Sequence, residues 1–372
     1  MQLFRYAVLA LFIFNLPATA LKFINPTLGT MLSYGSLLLL GLYYIFESKG
    51  KVNKWLILIG LSYYLTGAFQ YNGQLRMFLV VVAKYFIVVI CGYEAIKRTT
   101  KKDLFYFLLI GSLSVAFHMV FFKGDYGRYS GFYINPNVAG FICISGYGLT
   151  YGLSNLRLKL LGQFVFTLMG LLTFSRTFIA LWLFINVMSI FLDIKNIRII
   201  FLGFLIISTL FTIDELVGLD NPRFQQLKGI IYNEGVTAEE IGQGGRAQTW
   251  KKFYKHIEEK PFFGNGYGAF QGGGFYRLGS HNTYLLVIGE TGIIPFSIFI
   301  GLFIYFLYWG VVYFREAPNI LMQSIGLSVF LLANHNFFNF YYITMITMWL
   351  HYQLMEHKKS KKVKLLEPNP QQ

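Results

Sequence analysis

Charge is what this chain has least of. Only 13% of its 372 residues are Asp, Glu, Lys or Arg, against 55% hydrophobic and 19% aromatic, and the mean hydropathy is +0.51. Soluble domains carry about 25% charged residues, so the balance belongs to the membrane class. Acidic residues are scarcer than basic ones, 17 against 32, which leaves a formal charge of +15. Nucleic-acid binding requires such bases gathered on one folded surface. Here they fall mostly in short gaps between apolar runs, the inside bias of membrane proteins, and no nucleic-acid partner is expected. The two cysteines, Cys91 and Cys143, each sit in an apolar run and form neither a disulfide framework nor a metal spacing. HExxH and DxD motifs are both missing, so divalent-metal catalysis has little support and no metal site is expected. The glycine cluster between Gly264 and Gly274 lacks the lysine and serine of a Walker loop, and no internal repeat is found.

What the chain does have is apolar runs of membrane-spanning length. They fall near 4–24, 28–46, 54–70, 75–96, 103–122, 137–153, 159–174, 177–192 and 198–213, then near 292–314, 319–333 and 337–355. The expectation is an all-α polytopic membrane protein with about twelve transmembrane helices and one larger extracytoplasmic segment between spans nine and ten. Four regions follow: about nine spans in 1–213, an extracytoplasmic segment in 214–282, about three spans in 283–355, and a basic tail in 356–372. Ala18-Thr19-Ala20 resembles a signal-peptidase site, but a second apolar run starts soon after it, and the first span is expected to be retained. Every second gap is basic (Lys49, Lys51 and Lys54; Lys97, Arg98, Lys101 and Lys102; Arg157 and Lys159; Lys195 and Arg198; Arg315; Lys358 to Lys364), which places both termini in the cytoplasm.

The outward segment 214–282 holds eight basic and eight acidic residues, the balance of a small folded module rather than a polybasic tail. Within it Trp250, Phe253, Tyr254 and Ile257 recur at helical spacing before Pro261, predicting an amphipathic helix that lies on the membrane or on the spans below, with Arg246 on its apolar face. PFFGNGYGAFQGGGF follows, a stretch suited to tight turns and close backbone approach.

Four outward positions carry chemistry: Arg128 in GRYSGFYINPN, Arg176 in FSRTF, Arg246, and His281 in SHNTYL. Arginine keeps its charge and presents a fixed fork of donors that fits phosphate oxygens. Imidazole accepts a proton near neutral pH without an extreme shift. Asn282 either steadies a sugar hydroxyl or caps the helix after it, and His335 in ANHNFF is the rival base. Glu290 and Lys84 stand alone in apolar sequence, with partners that spacing does not name. These parts suit a lipid diphosphate carrying a sugar: the prenyl tail stays in lipid, arginines stabilise the charge growing on the diphosphate, and a histidine deprotonates the incoming hydroxyl.

The NPN of Asn135-Pro136-Asn137 after Arg128, Ser175-Arg176, GGRAQTW, GNGYGAF and SHNTYLLVIGETGIIP, in that order, resemble the bacterial O-antigen ligase and O-antigen polymerase superfamily over roughly residues 125 to 314. The resemblance implies a metal- and nucleotide-independent glycosyltransferase of the bacterial inner membrane, with no cofactor. Its donor is an undecaprenyl-diphosphate-linked glycan and its acceptor a lipid A-core or related glycan. By the same resemblance Arg176, Arg246 and His281 are catalytic; Arg128, Asn135, Asn137, Asn282 and His335 are expected to line the substrate. A polymerase joining lipid-linked repeats has closely similar motifs. Two further classes stay open on the sequence, a lipid-linked glycan flippase and a membrane scaffold whose outer module binds another protein.

Overall fold

The computed structural model describes residues 1–47, 49–122, 127–217 and 246–366. Residues 218–245 of the expected outward module and 367–372 of the basic tail lie outside the described residues. Described in chain order, the helices are α1 (Gln2–Ile13), α2 (Leu16–Phe23), α3 (Pro26–Phe46), α4 (Lys54–Ala68), α5 (Leu75–Ile96), α6 (Lys101–Phe121), α7 (Pro136–Thr150) and α8 (Leu156–Leu172). They continue with α9 (Arg176–Ile190), α10 (Ile197–Val217), α11 (Arg246–Glu259), α12 (Thr283–Thr291), α13 (Ile293–Val312), α14 (Pro318–Leu331) and α15 (Tyr341–Leu366).

The twelve-span expectation is corrected by these lengths. Among the described residues only α3, α5, α6 and α13 are long and apolar enough to cross a membrane, or five spans if α1 and α2, bent by 52°, count as one. Apolar windows at 54–70, 137–153, 159–174, 177–192 and 319–333 instead form helices of 15, 15, 17, 15 and 14 residues. At 1.5 Å per residue these reach about 21–26 Å, short of the ~30 Å hydrocarbon layer. Hydropathy counts an apolar side chain the same whether it faces lipid or a neighbouring helix. The clearest case is α7, buried at every residue from Val138 to Thr150 and packed against α6, α8, α9 and α14. A helix apolar on all sides belongs in a core, and α7 is the core of this all-helical bundle. The several apolar helices are consistent with membrane association.

The bundle has two chemically different ends. At one, Arg98 pairs with Glu47 at 2.9 Å, Lys97 with Glu94 at 2.6 Å and Lys361 with Glu316 at 2.6 Å, while Trp349 Nε1 donates to the Thr99 carbonyl at 2.8 Å. The 22 residues of α5 run from there to the α4–α5 corner, about 33 Å away. At that corner Gly67 O accepts from Tyr267 N at 2.9 Å and Gln70 Oε1 from Lys260 at 2.5 Å, which docks the glycine-rich loop on the opposite end. Above it α11 buries Phe253 between Phe270 and Tyr276, with ring centroids 4.8 and 5.1 Å away.

Candidate functional site

Three helices begin at this second end, and each is entered in the same way. Ile134 (φ 64°), Phe174 (φ 48°) and His281 (φ 49°) lie in the left-handed region, and each is followed by a residue whose side chain caps the next helix. Asn135 Oδ1 accepts from Asn137 N at 2.9 Å, Ser175 Oγ from Phe178 N at 3.4 Å, and Asn282 Oδ1 from Tyr284 N at 2.9 Å and Leu285 N at 3.1 Å. Positive φ costs a non-glycine residue energy and persists only where surrounding structure enforces it. Among the described residues four non-glycine positions have it, and three are these. The turn before each cap brings the chain sharply over the helix start, where free N–H groups and the helix dipole favour negative charge.

Arginines occupy the space these helix starts define. Arg128 Nη2 donates to Asn137 Oδ1 at 3.0 Å and its Nε to the Thr173 carbonyl at 3.3 Å, while Ser175 Oγ donates to the same Asn137 oxygen at 3.1 Å. Asn137 thus ties Arg128 to the start of α9. Arg176, the first residue of α9, is exposed, and Arg246 reaches the same turn through Nη1 to Thr177 Oγ1 at 3.3 Å. Burial and then the Arg176 charge hold the Arg246 pKa below the usual arginine value, so the two cations feel each other. Among the described residues neither is paired with a carboxylate. Two adjacent guanidiniums without a counter-charge form a receptor for an anion with several oxygens.

His281 completes the cluster. The residue is exposed, yet its imidazole is partly desolvated, and its pKa lies below the ordinary 6.5 because of that desolvation first and the Arg246 charge second. The His335 ring lies 4.8 Å away at 62°, more deeply set, with its pKa pushed down to about 4 by burial and then by His281. The Nδ1 of His335 is buried without a hydrogen-bond partner, and its Nε2 faces Gly279, where an added Cβ would stand 3.1 Å away. Both pKa values lie below the ordinary imidazole value, and the more accessible residue is His281.

The eight residues singled out in the sequence thus come to one end of the bundle, in different settings. Arg176, Arg246 and His281 are exposed, whereas the side-chain oxygens of Asn135, Asn137 and Asn282 are engaged within the protein, by caps or by Arg128 and Ser175. Spacing alone missed Thr177, and it left the lone acid Glu290 without a named partner. That carboxylate is fully buried and accepts from the Tyr63 hydroxyl, from Phe270 N at 3.0 Å and from Gln271 Nε2 at 3.5 Å. It pins the glycine-rich loop between α12 and α4. The loop crosses the end of α12 so closely that a Cβ on Gly264 (φ 68°) would lie 2.3 Å from the Glu290 backbone, and one on Gly292 (φ 80°) 2.1 Å from Phe262 O. Glu290→Ala leaves the Tyr63 hydroxyl and Phe270 N–H buried without acceptors, at about 1–3 kcal/mol each. The expected result is a lower thermal midpoint in detergent, with much of the loss restored in Glu290→Gln, which keeps one acceptor oxygen.

No curated protein matches the chain. Residues 161–300, the segment that carries Arg176, Arg246, His281 and Glu290, match the family model described as O-antigen ligase, which supports assigning the chain to that broad family and to a glycan-transferase-like activity.

Proposed function

We propose that this protein moves a saccharide from an undecaprenyl-diphosphate carrier to a hydroxyl of lipid A-core or a related acceptor. The observation that carries this reading is the pair of guanidiniums, Arg176 and Arg246, at the start of α9, unpaired with any carboxylate among the described residues and beside exposed His281, whose pKa lies below the ordinary imidazole value. Family association with lipid-linked glycan donors and acceptors supports it.

In the reaction His281 removes the proton of the acceptor hydroxyl as its oxygen attacks the anomeric carbon. The bond from that carbon to the diphosphate oxygen breaks, and its electron pair stays on the diphosphate. Arg176 and Arg246 hold the charge that develops there, with the amide end of α9 behind them. Arg128 keeps Asn137 and Ser175 in register and so positions the arginine turn. The diphosphate is itself the activated leaving group, so neither nucleotide nor metal is called on. The basic residues at the far end of the bundle support an inner-membrane orientation with both termini cytoplasmic and the site on the extracytoplasmic face.

A base whose pKa lies below 6.5 works on the neutral side of that value. The acid limb of kcat/KM is therefore expected below pH 6.5, with a plateau through neutrality; a midpoint above 6.5 in the free enzyme contradicts the assignment of His281.

The deciding experiment is reconstitution of the purified chain in proteoliposomes with an undecaprenyl-diphosphate glycan, offering lipid A-core or a second donor molecule as acceptor. Glycan joined to lipid A-core supports the ligase, and a lengthened lipid-linked glycan moves the acceptor assignment to a polymerase. Donor carried across the bilayer with its linkage intact overturns transfer in favour of transport.

A further inference from the structure

Away from the arginine cluster, a cavity of about 440 Å³ lies among α1, α2, α3, α5 and the chain at 339–342. Its walls are mixed: Leu11, Phe12 and Leu21 on the apolar side, and Asn15, Ser33 and Lys84 among the polar groups. Lys84 lies in the middle of α5, a helix of membrane-spanning length and composition, where a charged side chain is expensive and is ordinarily paired. Its ammonium sits 4.6 Å from the centre of the Tyr34 ring, and no acidic partner for it is found among the described residues. Tyr34, 55% exposed, forms part of the rim.

The break between α1 and α2 opens onto the same space. The pair bends by 52° at Phe14 and Asn15, Asn15 takes φ 53°, and its side chain leaves the start of α2 uncapped to reach the Phe132 carbonyl at 3.4 Å. Thr19 Oγ1 holds the same carbonyl at 2.7 Å, so the break is built in from both sides. Irregular backbone at membrane depth is tolerated where it is buried in protein or lines a cavity, and broken helices recur at ligand sites. Tyr342 also lines the cavity, and its hydroxyl is buried with no hydrogen-bond partner among the described residues.

We propose that this cavity binds a phosphate-headed lipid, the phosphate on Lys84 and the first part of the hydrocarbon chain against Leu11, Phe12 and Leu21. A single cation with polar neighbours suits one anionic head, and the apolar walls suit a chain rather than a free ion. This site is separate from the arginine cluster and does not depend on the transferase reading. It is linked to that cluster through the Phe132 carbonyl, which Asn15 and Thr19 hold between Arg128 and Asn135, and through the chain from His335 to Tyr342.

The test uses the full chain in detergent micelles. Lys84 modification by an amine-acylating reagent is followed by mass spectrometry while dioleoyl-phosphatidylglycerol, a long-chain polyprenyl monophosphate or zwitterionic phosphatidylcholine is titrated in. Native mass spectrometry gives the affinity of each lipid for wild type, Lys84→Met and Lys84→Arg. One or both anionic lipids are expected to shield Lys84, with affinity falling about ten-fold or more in Lys84→Met and staying within about three-fold in Lys84→Arg. Shielding by phosphatidylglycerol alone identifies a bilayer lipid, by the polyprenyl phosphate alone a carrier lipid, and by both a general lipid-phosphate site. Equal shielding by phosphatidylcholine, shielding by none of the three, or unchanged affinity in a folded Lys84→Met overturns the proposal.

Discussion

His281→Asn is expected to lower glycan transfer by about 10²–10⁴-fold while leaving the protein inserted and folded, the range by which a positioned general base accelerates proton transfer. Asparagine is the informative replacement because His281 has φ 49°, a conformation that asparagine tolerates better than most side chains. The backbone turn into α12 is thereby kept and only the base is lost. His335→Asn serves as the comparison, since the pKa of His335 near 4 makes it a far weaker base at neutral pH. The assay is initial-rate transfer in proteoliposomes. Wild-type rates in His281→Asn, or a larger loss in His335→Asn, reverse the assignment of the two imidazoles.

The second large effect is expected at the arginine pair. Removing one donor from a site that stabilises developing negative charge costs about 10²–10³-fold in kcat. Arg176→Gln and Arg246→Gln should each fall in that range, and their combination by less than the product, because the pair acts on one leaving group. Lysine keeps the charge but loses the fork, so Arg246→Lys recovers only part of the rate. Arg246→Gln carries a second signature. The Arg246 charge lowers the His281 pKa, so removing it raises that pKa and moves the acid limb of kcat/KM to higher pH. A purely structural role for Arg246 leaves the limb where it was. Both arginines are exposed, so expression and melting temperature should stay near wild type.

The positions singled out in the sequence come to one end of the bundle, whereas the span count did not survive, and both outcomes have physical reasons. Permanent charge inside apolar sequence is expensive, which made Arg176 stand out; Arg128 stood out in an outward gap and Arg246 on the apolar face of an amphipathic helix, and the fold gathers them with His281 at one end. Span counting failed because it adds up apolarity without knowing what covers it. The run at 137–153 has the composition of a membrane helix, yet it forms the 15-residue α7 enclosed by protein. Nor does the sequence say which asparagines are free. Asn282 caps the helix after it, one of the two readings the sequence left open, and Asn135 caps α7, while the Asn137 oxygen is taken by Arg128 and Ser175 across the α7–α9 contact. Glu290 was visible as a lone acid, but its Tyr63 partner lies 227 positions earlier, a pairing that only packing creates.

The geometry itself is open to direct measurement. A structure of the protein with a non-cleavable lipid diphosphonate carrying a sugar should place diphosphonate oxygens about 2.7–3.1 Å from the guanidiniums of both Arg176 and Arg246, with the anomeric carbon facing His281. A diphosphonate bound at a different place on the protein, with these three side chains left in solvent, contradicts the assignment.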